Sequence, residues 1–336
     1  MVKRMPKDWN PPYPGWSGKF ASQDSPLVFA YFACQFYGDE DRSRSFRRWW
    51  AGASAAPNGP GHFEMSNFLD SQAANNVVAV AYWRGLECYQ RWWEAVAPWW
   101  DGQDDDGVGY WREIHVVKPT HFETAFATTN ADGVGHLADG FGEPVLEHAY
   151  WGAMRDRIPA SETDPLNPGF EGPLQPLSAP ALTRVRLRVP ENLVMIRSAQ
   201  DWRGCGEIER NYYLDRVHPV MVQGMKFLQD HPIETGCISC RVLTYEDSTG
   251  TPEERTFATA HFISLAHLER WAESHPSHVA IFETFLQMVK DFDYAIDLRL
   301  WHEVVLLDGA SCVFEYDKCH ASTGSMRFLP SIELER

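Results

Sequence analysis

Two stretches of this chain repeat one pattern of apolar and polar positions. Val77-Val78-Ala79-Val80-Ala81-Tyr82-Trp83 is an unbroken run of branched, small and aromatic residues, the composition of a buried strand. Arg84 to Trp93 then reads as a helix ending in Gln90-Arg91-Trp92. Thr256 to Phe262 is again a strand, and Ser264 to Glu273 a helix with Ser264 as N-cap and Glu269-Arg270-Trp271 near its end. Downstream, Tyr110-Trp111-Arg112-Glu113-Ile114 in the first copy answers Leu300-Trp301-His302-Glu303-Val304 in the second.

Strand–helix–strand units of this kind predict an α+β fold: two ferredoxin-like halves packed as a dimeric-type α+β barrel with surrounding helices. The halves span about 25–157 and 184–320 of a single domain covering 1–336. Between them, 158–183 carries six prolines and reads as an irregular connection. Arg184 to Val189 and Asn192 to Arg197 read as strands. Ile208, Tyr212, Met221, Met225 and Leu228 fall near helical spacing, predicting a long helix over Glu207 to Asp230 with Asn211 on or near its inner face.

Hydrophobic residues make up 44% of the chain and aromatic residues 13%, with 14 Trp, which suits a large core with room for a flat ligand. A formal charge of −16 argues against nucleic acid or an anionic membrane as partner. No apolar run has the length of a membrane span, and no hydrophobic signal region follows Met1 to Lys7, so a cytoplasmic location is expected. The seven cysteines read as reduced, buried thiols. Cys237-Ile238-Ser239-Cys240 lies in a predicted strand, where the two thiols would face opposite ways.

The candidate chemistry sits near the C-terminus. Leu298 to Leu307 reads L-R-L-W-H-E-V-V-L-L, a strand with His302 inside it. A second strand, Ser311 to Tyr316, follows an Asp308-Gly309 turn, and Cys319-His320 comes after it. Two such strands could hold one imidazole below and one above a flat cofactor, as haem uses histidine for axial ligation and for distal acid–base work. Arg112 occupies the place in the first half that His302 holds in the second, so one haem per chain is expected. Other signals are weaker. Gln103 to Glu113 only mimics the end of a calcium loop, because Gly102 stands at its first ligand position. Gly133-Val134-Gly135 lacks the third glycine of a dinucleotide fingerprint. His275 and His278 follow a helix end near Pro276 and read as capping or solvent-facing. The pairs Trp49-Trp50, Trp92-Trp93 and Trp99-Trp100 read as core or subunit contacts.

Blocks spread over the chain carry a resemblance. Pro11-Pro12-Tyr13-Pro14-Gly15-Trp16, Ala81-Tyr82-Trp83, His148-Ala149-Tyr150-Trp151-Gly152, Ile196-Arg197-Ser198-Ala199-Gln200-Asp201-Trp202, Glu269 to Pro276, Leu298 to Asp308 and Phe314 to Gly324 resemble the haem-containing aldoxime dehydratases. Those enzymes convert an aldoxime to a nitrile and water. The resemblance implies a lyase with ferrous haem b, a small N–OH substrate and a homodimer. It implies His302 as axial ligand of the iron and His320 as acid–base residue. Family members also carry a serine that hydrogen-bonds the oxime hydroxyl, matched here to Asn211, and a loop arginine, matched at or near Gln175 with Arg184 as a substitute. Those two departures leave open a diverged enzyme acting on another N–O substrate, for instance forming an N–N bond from an N-hydroxylated amine. A non-catalytic haem-binding protein is the remaining alternative.

Overall fold

The computed structural model describes residues 3–21, 25–104, 107–178 and 184–332. The first half runs β1 (Leu27–Phe36), α1 (Arg44–Ser54), β2 (His62–Leu69), β3 (Asn75–Arg84), α2 (Leu86–Asp101), β4 (Val108–Val117) and β5 (Phe122–Phe126). A short helix α3 (Ala153–Arg157) precedes the connection, and β6 (Val185–Leu187) follows it. The second half runs β7 (Val194–Asp201), α4 (Glu207–Tyr212), α5 (His218–Asp230), α6 (Pro232–Thr235), β8 (Cys237–Glu246), β9 (Pro252–Phe262), α7 (Leu265–Ser274), α8 (Pro276–Asp291), β10 (Arg299–Leu306), β11 (Val313–Asp317) and β12 (Ser331–Ile332).

All twelve strands join one antiparallel sheet, in the order β12-β6-β11-β4-β1-β3-β2-β8-β9-β7-β10-β5. The two halves therefore repeat one order, β4-β1-β3-β2 and β10-β7-β9-β8. Each half also lends a strand to the other: β5 pairs with β10, and β11 pairs with β4.

Alternation along the strands sorts the core. One face gathers residues of both halves, including Phe29, Tyr31, Tyr82, Trp111, Leu243, Phe257, Trp301 and Val305, into a single cluster. Strands distant in the order touch across it: Tyr82 donates to Glu303 (2.7 Å), and Arg241 clamps Glu113 (2.6 and 2.7 Å). The opposite face divides. In the first half α1 and α2 cover it with the tryptophan pairs, Trp50, Trp92 and Trp100 being buried around Phe32. In the second, α5, α7 and α8 cover it with Met221, Met225, Leu268, Trp271 and Ile281.

Several elements depart from the sequence reading. The helix expected over 207–230 is continuous in direction but passes through a π-turn at Tyr213–Val217 between α4 and α5. Its Asn211 is exposed, because Tyr213, Val217, Met221 and Leu228 take the inner face. Cys237 and Cys240 do not face opposite ways. A bulge between Cys237 and Ser239 resets the alternation, and both thiols join the apolar layer under α5. In 158–183 the described residues carry one 3-10 turn, Pro159–Glu162, and no strand.

Candidate active site

The polar site lies on the outward face of β7 and β10. Their register sets Ser198 directly opposite His302, with Ile196 opposite Val304 two residues on. Paired residues in an antiparallel ladder share a face, so the Ser198 hydroxyl and the His302 imidazole are neighbours. On the far side of β10, Ala125 of β5 pairs with His302, and Glu123 reaches the same imidazole. The His302 Nε2 lies 2.9 Å from Glu123 Oε1 and 3.1 Å from the Arg157 guanidinium. Arg157, at the end of α3, also donates to Glu123 Oε2 (2.7 Å) and to the Glu147 carbonyl (2.6 Å).

Electrostatics follow from that arrangement. Glu123 is fully buried, which by itself would raise its pKa, but the charges of Arg157 and His302 win and hold it to about 2. The carboxylate thus stays ionised beside the His302 imidazole. The Ser198 hydroxyl makes no hydrogen bond among the described residues and is half-buried. A serine, an arginine, a histidine and an ionised glutamate therefore converge on one patch.

Beneath the helices on this face is a second histidine that the sequence reading set aside. His275 does cap α8, accepting from the Ser277 amide. His278 does not face solvent. Its ring packs on Trp271 (4.6 Å) and Trp151 (6.1 Å), and its Nδ1 lies 2.6 Å from the Ala272 carbonyl oxygen. A carbonyl only accepts, so Nδ1 carries the proton and Nε2 keeps a bare lone pair. Burial pushes its pKa down to about 4, so the imidazole is neutral at working pH. A neutral imidazole oriented by a backbone carbonyl is the form in which histidine binds iron. The residues flanking it and His302 (Trp271, Ile281, Met154, Val304) belong to one apolar layer, a suitable wall for a flat cofactor.

His320 stands apart. Its Nδ1 accepts from the Ser322 amide (3.2 Å), its Nε2 meets Asp70 (2.8 Å), and its own amide donates to Gln35. Both ring nitrogens are thus committed to a network with Asn76 and Thr323 at the ends of β1 and β3. It shares no hydrogen-bond partner with His302 among the described residues. Asn211 and Gln175 are both exposed, without a side-chain hydrogen bond among the described residues, and belong to neither neighbourhood. Arg184 is bound to Asp101 (2.6 Å) and Glu315 (2.7 Å) at the other end of the sheet. Arg112, at the place equivalent to His302, is paired with Glu315 and lies 3.8 Å over Trp93. On that half Phe32 and the tryptophans pack over the sheet face. A buried trio, Glu113, His115 and His261, has metal-binding residue types. Arg241 and Tyr316 already occupy its carboxylate.

Ser198 was visible in the Ile196 to Trp202 block but carried no assigned role. Glu123 and Arg157 lie over a hundred positions from His302, and no local pattern announces such a pairing.

Residues 30–325 match the family model described as haem-containing dehydratase. The chain is 36% identical to an aliphatic aldoxime dehydratase of Rhodococcus globerulus, covering 97% of this chain and 94% of that one. It is 32% identical to the phenylacetaldoxime dehydratase of Bacillus sp. (strain OxB-1), covering 99% and 97%. Among solved structures it superposes on an aldoxime dehydratase in complex with butyraldoxime, with a TM-score of 0.90 and 35% identity over 99% of this chain and 94% of that one. On these grounds the chain belongs to the haem-containing dehydratase family.

Proposed function

We propose that this protein dehydrates an aldoxime, R–CH=N–OH, to the nitrile and water, using haem b held beside the β7–β10 face. The observation that carries this is the convergence of His302, Glu123, Arg157 and Ser198 on one patch, with a neutral, carbonyl-oriented His278 on a helix of the same half. Ferrous haem, when bound, supplies an iron centre for the oxime nitrogen and electron density for the breaking N–O bond. The chain's own residues do the rest. Ser198 and Arg157 hydrogen-bond the oxime oxygen and fix its orientation. His302, protonated and stabilised by Glu123, gives its proton to that oxygen, so the N–O bond breaks with water as leaving group. The neutral imidazole then takes the proton from carbon as the C≡N bond completes. Atoms balance, and His302 returns to its starting state.

In this reading His278 would hold the haem iron. A second reading keeps the iron on His302 and the acid–base role on His320, with Asn211 and Gln175 near the hydroxyl. Its support is the Leu300 to Val304 and Cys319-His320 resemblance, and the Glu123 hydrogen bond, which is the kind an iron-bound imidazole makes. Two substitutions separate them. Under the first reading His278→Ala loses the Soret band, whereas His302→Ala keeps haem and loses turnover by about 10²–10⁴-fold. The reverse pattern would give the iron to His302. Ser198 and Arg157 offer a serine and an arginine beside His302 in place of Asn211 and Gln175, which supports an aldoxime over another N–O substrate. The function is tested by incubating the dithionite-reduced protein with butyraldoxime and phenylacetaldoxime and measuring nitrile by mass spectrometry. Absence of nitrile from both would overturn it.

The repeated strand orders support a further reading of the fold as one domain of two pseudo-repeats, ferredoxin-like halves closing an α+β barrel around the shared core. A homodimer is proposed on the resemblance, and a cytoplasmic location on the charge and hydropathy of the sequence. No helix of the described residues is long and apolar enough to cross a membrane.

A further inference from the structure

The segment Glu147–Gly152 touches both histidine neighbourhoods. At one end, Arg157 holds the Glu147 carbonyl while its other nitrogens hold Glu123 and His302. At the other, Trp151 packs on His278 and on Phe282 (5.1 Å). Between them stands His148, on which Arg157, His302 and Glu123 all act electrostatically.

The surrounding chain is built to hold that imidazole. Tyr13 meets it edge-on at 5.1 Å, and Trp9 donates to its carbonyl (2.9 Å). A Cβ at Gly15 would lie 2.8 Å from the ring, so only glycine lets the N-terminal arm pass this close. This gives Pro11 to Trp16 a purpose that the fold alone does not. Ala149 next to it has φ +59°, a left-handed conformation that non-glycine residues rarely adopt and that marks functional sites. So much fixing leaves one atom unused: the His148 Nε2 is buried without a hydrogen-bond partner. A buried polar atom left without a partner carries a desolvation cost, which a ligand that bonds it recovers. The ring is neutral, since burial and the nearby Arg157 push its pKa down to about 4.

We propose that His148 is a further catalytic residue of this site, its Nε2 hydrogen-bonding the hydroxyl of the N–OH substrate and then the departing water. The inference rests on the dehydration proposed above. His148→Phe keeps the ring and its contact with Tyr13 but removes both nitrogens. His148→Gln places an amide nitrogen near the position of Nε2. Haem occupancy is read from the Soret band, butyraldoxime affinity from its titration, and kcat and KM from nitrile formation. We expect full haem occupancy in both variants and kcat/KM lowered about 10- to 100-fold in His148→Phe, the range for one lost hydrogen bond to a reacting group. His148→Gln should recover at least part of that loss. A His148→Phe protein with kcat/KM within about twofold of wild type would overturn the proposal, as would a folded His148→Gln no better than His148→Phe. A wild type that makes no nitrile defeats the dehydration reading itself. An active wild type with an active His148→Phe variant defeats this one alone.

Discussion

At the scale of single residues, each of two histidines is decided by what its nitrogens already hold. His302 has an ionised carboxylate and an arginine on Nε2, the partners on which the proposed proton transfer rests. His320 has both nitrogens in a fold-stabilising network, so His320→Asn should cost stability and leave turnover within a few-fold of wild type. Thermal melts and nitrile assays on one preparation check this; a loss of a hundredfold or more in kcat with an unchanged Tm would restore His320 to the chemistry. Ser198→Ala should lower kcat/KM about 10- to 100-fold, whereas Asn211→Ala, at an exposed position, should change it by less than about twofold. His302 was singled out because it stands in an apolar strand inside the resembling block Leu298 to Asp308. Its partners were not, since Glu123 and Arg157 reach it only through the strand exchange that brings β5 onto β10.

At the scale of elements, periodicity located the principal strands well and the chemistry of helix faces less well. The strands over Val77 to Trp83, Thr256 to Phe262 and Leu298 to Leu307 all appear. Asn211 was misplaced because ideal helical spacing was carried across a π-turn, which inserts a residue and rotates the faces on either side. The C-x-x-C thiols were misplaced by the same kind of error in a strand, a bulge that shifts the period of two. Helix–helix contact gives a test at this scale. At Gly224 a Cβ would lie 2.5 Å from Ile281 Cδ1 and 3.2 Å from the Ser277 carbonyl, where α5 meets α8. Gly224→Ala should therefore destabilise by about 1–3 kcal/mol through overpacking, despite alanine's better helix propensity. Urea melts decide it, and a stabilised variant would mean that α8 yields easily. Because α8 carries His278, loss of haem affinity should accompany the loss of stability.

For the whole molecule, the core shared by both halves makes stability depend on pH in two opposing ways. His115 and His261, buried against each other, are pushed down to about 3 and about 4. The unfolded chain binds protons there below about pH 6.5 that the folded chain refuses, so stability falls as pH drops. Glu303 behaves oppositely. Burial raises its carboxyl to about 7, with Arg197 and the hydrogen bonds from Tyr82 and Val134 only partly opposing this. Between about pH 4.5 and 7 the folded chain holds a proton on Glu303 that the unfolded chain has released. That contribution is complete below pH 4.5 and is lost as pH rises through 7. Glu303→Gln keeps the shape of the protonated acid, and its amide stays neutral at every pH. Relative to wild type, the variant should therefore gain stability from pH 5 to about pH 7, by at most about 1.4 kcal/mol per pH unit, and level off toward pH 8. Urea melts of the haem-loaded proteins at pH 5, 6, 7 and 8 measure the difference. Parallel curves would show that Glu303 is already ionised in the folded core, with Arg197 neutralising both it and Glu64. In that case the buried arginine, and not a shared proton, is what lets strands of the two halves meet across the interior.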